Sequence, residues 1–322
     1  MKLSIVTTLY GSSETLREFH TRASRAAAEF AGEDYEIIMV NDASPDDSLS
    51  QAKELFASDP HLIVVDLARN FGQHSAMMAG IGLAKGDFVF ALDDDLEEEP
   101  EWLSLFAARM RETGADHVFG VQERRKGKFF ERVSGSAFYS LFNALSDTKI
   151  PPNQIMAKLM TRRFVDALLT YQERTFFLAG ILALTGFVQV PLTCHKKSKG
   201  SSTYNLSRKV EQAITSLTSF STKPLLAIFF AGTGLSVLAL VLLIYLVMRK
   251  LIFGAVLDGW TSIMALMTLG FGVVTAVLGI IGIYIARIFV EVKKRPLVTI
   301  RDLLSHASSD HTSDRTSDRT RK

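Results

Sequence analysis

Three consecutive aspartates, Asp93, Asp94 and Asp95, follow the apolar run 88–92. In an extended chain, alternation places Asp93 and Asp95 on one face and turns Asp94 away. Two hard carboxylates on one face suit Mg2+ or Mn2+, and such an ion would bridge diphosphate oxygens and neutralise a departing nucleotide. A solvated acidic turn is the competing reading, because Glu97, Glu98, Glu99 and Glu101 prolong the run into a helix start, where acids are favourable. The wholly apolar strand in front favours the site, since the run begins where a buried strand emerges. A second set is Asn41-Asp42-Ala43-Ser44-Pro45-Asp46. Its Asp and Ser residues can turn the chain and cap the next helix, a role suited to Ser44 or Asp46. Asp42 lies nearer the strand end and is better placed to accept a hydrogen bond from a base N–H.

The elements that must position these groups follow from periodicity. Residues 3–9, 35–40, 61–67, 87–92 and 117–121 read as short strands, and 14–30, 47–57, 74–84 and 101–112 as helices between them. The β-α-β-α order predicts a mainly parallel sheet. Ligands of such sheets bind beyond the carboxyl ends of the strands, which selects Tyr10, Asp42, Arg69 and the Asp93 group.

Further along, residues 224–248 and 262–286 are apolar runs of about 25 residues, each rising about 37 Å as a helix, enough to cross a bilayer core with some tilt. Arg208, Lys209 and Lys223 precede the first run and Arg287, Lys293, Lys294 and Arg295 follow the second, against Arg249 and Lys250 between them. That asymmetry predicts two membrane spans with both termini cytoplasmic. The first nine residues lack the charged start and cleavage site of a signal peptide. Gly272 with Ala276, and Thr275 with Gly279, have the spacing that permits close helix contact, so a homo-oligomer is expected. The net charge of +2 is too small to imply nucleic acid, and the single cysteine, Cys194, excludes an internal disulfide or a multi-cysteine zinc site. The expected organisation is a cytoplasmic α/β domain over 1–205, an amphipathic juxtamembrane helix over 206–223, a two-helix transmembrane region over 224–290, and a cytoplasmic tail over 291–322, polar and disordered from about residue 305. A second amphipathic stretch, 129–145, suits either the membrane interface or core packing.

Five segments occur in one order: Ser4-Ile5-Val6-Thr7-Thr8-Leu9-Tyr10, Val40-Asn41-Asp42-Ala43-Ser44, Arg69-Asn70-Phe71-Gly72, Leu92-Asp93-Asp94-Asp95-Leu96 and Ser219-Phe220-Ser221-Thr222-Lys223-Pro224-Leu225. Together they resemble the family 2, GT-A-fold glycosyltransferases that use polyprenyl phosphate, the group of bactoprenol-phosphate glucosyltransferases and dolichol-phosphate mannose synthases. The resemblance covers about residues 1–295. It implies a Rossmann-like GT-A nucleotide-diphospho-sugar transferase domain followed by two transmembrane helices, at the inner (cytoplasmic) membrane. It further implies Asp42 as a contact to the base, Thr8, Tyr10 and Arg69 lining the nucleotide site, Asp93 on nucleotide and metal, and Asp95 on Mg2+ or Mn2+. Lys197, Lys199, Ser202 and Tyr204 resemble a family segment that approaches the acceptor phosphate, where a basic, glycine-containing loop can surround an anion.

One departure stands out. Where the family has Asp-Phe-Arg-Leu, with the Asp proposed as base, this chain reads Met156-Ala157-Lys158-Leu159, so no base carries over. A phosphomonoester acceptor, with a second pKa near 6, is largely dianionic at neutral pH and needs positioning more than deprotonation. The expected activity is inverting transfer of a sugar from a nucleotide-sugar donor to polyprenyl (undecaprenyl) phosphate in membrane lipid, for cell-surface glycan or lipopolysaccharide modification. Two alternatives stay open: a processive polysaccharide synthase, disfavoured by the want of a Gln-x-x-Arg-Trp segment, and a catalytically inactive lipid-phosphate binding scaffold, prompted by Met156.

Overall fold

The computed structural model describes residues 2–122, 153–171, 178–196, 223–253 and 259–306. These fall into two compact units, one within Met1–Ser136, Ile150–Thr203 and Arg295–Lys322, the other within Ala137–Lys149 and Tyr204–Lys294.

The first unit is an α/β layer structure. Its strands are β1 (Leu3–Leu9), β2 (Tyr35–Asn41), β3 (Leu62–Leu67), β4 (Phe88–Ala91), β5 (His117–Gln122), β6 (Gln154–Thr161), β7 (Gln189–Cys194) and β8 (Ile300–Leu304). They form one sheet in the order β7-β5-β6-β4-β1-β2-β3-β8. The helices are α1 (Leu16–Ala31), α2 (Ser48–Ser58), α3 (Gln73–Leu83), α4 (Trp102–Thr113), α5 (Arg162–Leu169) and α6 (Leu178–Leu184). The nine elements expected up to residue 121 are all present, with ends displaced by a residue or two. The sheet is mixed: β3-β2-β1-β4 are parallel, whereas β6 runs antiparallel to both β4 and β5, and β8 antiparallel to β3.

Both faces of the parallel centre are covered, which is why β1 and β2 are buried along their whole lengths. Leu3, Ile5, Ile37 and Met39 join Phe19 and Ala23 of α1 and Phe106 of α4 in the main apolar cluster. On the other face α3 lies so close that a Cβ on Gly80 would overlap Val6 and come within 2.9 Å of Val40 Cγ2. Glycine there lets α3 approach the sheet, and so sets where its N-terminus meets the strand ends.

Residues 300–304, just ahead of the polar stretch that begins at Ser305, form an edge strand of this sheet that the periodicity did not mark. His306 continues the docking, its ring stacked 4.1 Å from Phe56. The rest of the tail, 307–322, lies outside the described residues, as do the stretches 129–145 and 206–222.

In the second unit two long helices, α7 (Lys223–Phe253) and α8 (Trp260–Val292), contain the apolar runs. Among the described residues one segment, Gly270–Val292, is long and apolar enough by length and composition to cross a membrane.

A buried histidine gives the α/β unit a specific acid sensitivity. His117 on β5 is 1% exposed, its Nδ1 2.8 Å from Gln189 Oε1 and its ring stacked 4.8 Å from Phe164. Burial pushes it down to about 3, and burial with the nearby Lys158 charge pushes His74 down to about 4. Unfolded histidine binds its proton near 6.5 while these two in the folded chain do not, so stability present above pH 6.5 declines as pH falls toward 4. His117→Gln removes one of the two titrations and should flatten that decline. Thermal unfolding of the full chain in detergent, scanned over pH 7 to 4, checks this; an unchanged slope contradicts it.

Candidate active site

The loops that follow β1, β2, β3 and β4 meet at the carboxyl edge of the parallel strands and carry Tyr10, Asp42, Arg69, and Asp93 to Asp95, while Thr8 is the last-but-one residue of strand β1 before them. Thr8 is buried, Tyr10 is 59% exposed and Arg69 lies at the surface. Ala43 (φ 51°) and Leu96 (φ 59°) both hold left-handed backbone conformations, uncommon for residues with a side chain. Strain is thus concentrated in two of these loops.

Asp42 is 2% exposed, and its carboxylate faces the loop after β3. Oδ1 accepts the Phe71 N–H at 2.7 Å and Oδ2 the Gly72 N–H at 2.9 Å. Burial raises its pKa despite those two bonds and the nearby Arg69 charge. The loop bends at Gly72, whose φ of 91° is accessible to glycine, and Arg69 packs over the Phe71 ring at 4.1 Å. From the next residue, Gln73 Nε2 donates to Asp93 Oδ1 at 2.5 Å. Residues 69–73 therefore bridge the two carboxylates singled out by sequence.

The loop after β2 is held together by Asp46, but the N-cap of α2 is Asp47, which makes no side-chain capping bond, so neither Ser44 nor Asp46 takes the cap position expected of it. Asp46 accepts from the Ser48 N–H at 3.1 Å, the Ser13 N–H at 3.0 Å and the Ser44 hydroxyl at 2.5 Å. Burial pushes Asp46 upward, but these serine hydrogen bonds hold it well below the ordinary carboxylate range.

The aspartate triad departs from the extended geometry expected of it. The strand ends at Ala91, and Asp94 to Glu98 lie in a bend, where Asp95 Oδ1 accepts the Glu97 N–H at 2.9 Å. Asp94 turns inward, 7% exposed, with Oδ2 lacking a hydrogen-bond partner among the described residues, and burial lifts it to about 7. Asp93 and Asp95 remain partly accessible. The separation of Asp94 from its neighbours is as expected; its cause is the bend around Leu96 and not strand alternation.

Three charged groups lie behind this bend: Lys196, which begins the segment resembling the family's phosphate-approaching loop, and Glu98 and Lys158, to which the sequence assigns no site role. Glu98 is fully buried. Its Oε1 accepts the Met156 N–H at 3.0 Å, so a carboxylate does reach the Met156 position, delivered from the β4 loop. Lys196 Nζ lies 3.3 Å from Glu97, 3.5 Å from Glu98 and 3.9 Å from Asp93. Lys158 donates to the carbonyls of Ile155 at 2.8 Å and Met156 at 3.0 Å. Burial raises Asp93 well above its usual range, with the Glu98 charge adding to it and Lys196 opposing. Burial also raises Glu98, against Lys196 and Lys158, and lowers Lys158 to about 8. No residue type distinguishes Glu98 from Glu97 or Glu99; only the backbone turn at Leu96 does. Lys197, Lys199, Ser202 and Tyr204 lie outside the described residues.

Among the described residues no three His, Cys, Asp or Glu side chains converge on one point as a metal cage. Asp93 and Asp95 fit a different kind of site, in which one or two carboxylates and the substrate's own phosphates share a Mg2+ or Mn2+ ion.

The glycosyl transferase family 2 model matches residues 4–170. A glycosyltransferase of Mycobacterium tuberculosis is 42% identical over 301 residues, covering 94% of this chain and 88% of that one. The undecaprenyl-phosphate 4-deoxy-4-formamido-L-arabinose transferase of an Enterobacter species is 31% identical over 314 residues, covering 95% of each. Among solved structures, a mannosyltransferase of Pyrobaculum calidifontis in complex with GDP-Man and Mn2+ superposes with a TM-score of 0.49 at 16% identity, covering 91% of this chain and 86% of that one.

The Asp42 clamp has a direct consequence. In Asp42→Asn one oxygen becomes an amine that faces a backbone N–H, leaving a buried donor unpaired, a loss of about 1–3 kcal/mol. Chemical denaturation of the full chain should register it as a lower midpoint, and an unchanged midpoint contradicts the clamp.

Proposed function

The chain belongs to glycosyl transferase family 2, and from that premise we propose that it is an inverting transferase moving a sugar from a nucleotide-sugar donor to polyprenyl phosphate at a membrane. The observation that carries this reading is the end-to-end likeness to a transferase named for undecaprenyl phosphate, which extends through the apolar helices as well as the α/β unit. That the protein is a transferase enzyme with a GT-A-like α/β fold and a mixed sheet follows from the family itself. Its closest bearing on cell biology is modification of a surface glycan or lipopolysaccharide.

In this reading the nucleotide lies over the strand ends. Tyr10 and Arg69 border it, and Asp42 holds the 69–72 loop in place while keeping lone pairs for a base N–H. Asp93 and Asp95 would hold a divalent cation, which when bound supplies positive charge against the diphosphate leaving group. Lys196, already among these carboxylates, adds a fixed positive charge on the same side. A phosphate oxygen of the lipid donates an electron pair to the anomeric carbon, the bond from that carbon to the diphosphate oxygen breaks, and the nucleoside diphosphate leaves with the bonding pair. Attack from the face opposite the leaving group inverts the anomeric centre. No proton has to be removed from a dianionic phosphate, which is why Met156 in place of a carboxylate is compatible with turnover.

The two-span topology draws support from β8. This strand follows Gly270–Val292 in the chain yet hydrogen-bonds to β3 of the sheet that precedes it. If that helix crosses a membrane, the chain must cross an even number of times between β7 and β8, and the apolar helix α7 is the segment available for the second crossing. The basic residues flanking the pair favour the α/β unit on the cytoplasmic face.

Asp95→Asn tests the site. Transfer to undecaprenyl phosphate in detergent with Mn2+ should fall on the order of 100-fold or more, while the variant still fractionates with membranes. Turnover like that of the wild type would remove Asp95 from the site.

A further inference from the structure

The last described strand reaches the site through a chain of polar contacts. Arg301 on β8 forks across the end of β3: Nη1 lies 3.2 Å from Asp66 Oδ2, and Nη2 donates to the Ala68 carbonyl at 2.7 Å. The Ala68 N–H in turn donates to the Thr299 carbonyl at 2.9 Å. The β3–β8 pairing shifts register between Asp66 and Leu67, the kind of irregularity that re-aims side chains at a strand end. Asp66 is 2% exposed, and its second oxygen accepts from Asn41 Nδ2 at 2.7 Å. Asn41 Oδ1 accepts the Ser44 N–H at 3.1 Å, and Ser44 Oγ accepts the Gly11 N–H at 2.8 Å. One connected set of bonds thus joins β8 to the loops after β1, β2 and β3. Ala68, held from both sides by residues 299 and 301, directly precedes the 69–72 loop that Asp42 clamps.

We infer that Arg301 is a positioning residue for the donor site: acting through Asp66 and Ala68, it fixes the loops 41–46 and 69–72 that form the nucleotide floor. The inference rests on the reading of these loops as the donor site, and it makes the strand that follows the apolar helices a functional part of the catalytic unit. The physical reason is the buried Asp66 carboxylate. With Arg301 it is a charge-neutral hub bonded in two directions; without the guanidinium its side chain keeps, among the described residues, the Asn41 amide, and a buried carboxylate in that state favours rearrangement of the chain around it. The segments free to rearrange are the loops at the strand ends, because the strands themselves are held by their ladders. Arg301 is 54% exposed in its side chain and lies outside the apolar cluster, so removing its charge takes no member from that cluster.

The test uses the full chain in detergent, as wild type, Arg301→Met, Arg301→Lys, Asp66→Asn and the Arg301→Met/Asp66→Asn double variant. Hydrogen exchange needs no ligand and is read first. In Arg301→Met the amides of 41–46 and 69–72, including the Phe71 and Gly72 N–H groups bonded to Asp42, should exchange roughly tenfold faster while β1 and β4 stay protected. Titration with UDP, GDP and dTDP in the presence of Mn2+ is read second. The nucleotide that the wild type binds should bind Arg301→Met roughly tenfold more weakly, with donor KM rising and kcat changing less than KM. Arg301→Lys, which can satisfy one of the two acceptors, should fall between, and the double variant should be no worse than the poorer single one, because both act through one contact. Faster exchange confined to 299–304, or loops and affinity unchanged, overturns the inference. If Arg301→Met fails to fold, Arg301→Lys decides by the same two readouts. Should no nucleotide bind even the wild type, the donor-site reading fails, while the exchange result still decides whether Arg301 fixes the loops.

Discussion

Everything at the carboxyl edge of this sheet depends on one carboxylate held by two backbone N–H groups. Asp42 emerges from β2 into a buried position, where an ionised side chain is tolerated only if its oxygens are bonded. Phe71 and Gly72 supply those bonds, and so the loop after β3 is drawn across the end of β2. Gly72 supplies the turn, α3 starts at once, and Gln73 on its first turn meets Asp93. The order of strands makes this geometry available: β1 lies between β2 and β4, so the loops of neighbouring strands meet at one edge of the sheet. Helix α3 cannot retreat from that position without losing the close packing at Gly80.

The second constraint is electrostatic. Asp93, Asp94, Asp95, Glu97 and Glu98 are drawn into a single bend, with Lys196 and Lys158 as their described counter-charges. Burial raises Asp93 and Glu98, and the Lys196 charge opposes the shift in both. Glu98 also changes how Met156 is understood. The strand that lacks a carboxylate of its own is hydrogen-bonded to one from the facing loop.

Much of this was legible before any coordinates. Alternating and apolar periodicities located β1 to β5 and α1 to α4, and the rule that ligands bind past the strand ends selected Tyr10, Asp42, Arg69 and Asp93. What escaped were features set by long-range contacts. Residues 300–304 interrupt their apolar positions with Arg301 and Asp302 and so lack strict alternation, and it is pairing with β3 that makes them a strand. Strands β6 and β7 were not marked because their pairing partners lie far away in the chain and their sequences lack strict alternation. Glu98 looks identical to its neighbours in composition, and its burial follows from a left-handed residue, Leu96, that no pattern rule anticipates at a leucine. The triad was read as an extended segment because the apolar run continues through Leu92, whereas the ladder with β6 and β1 ends one residue earlier.

The most direct test of the central claim is a product analysis. Purified protein in detergent, supplied with undecaprenyl phosphate, Mn2+ or Mg2+, and UDP-, GDP- and dTDP-sugars in turn, is followed by mass spectrometry of the lipid fraction. The account predicts a lipid whose mass has increased by one sugar, joined through its phosphate, with nucleoside diphosphate released in equal amount. Sugar found on a hydroxyl acceptor, or nucleotide bound across the panel with the lipid phosphate unmodified, would contradict it.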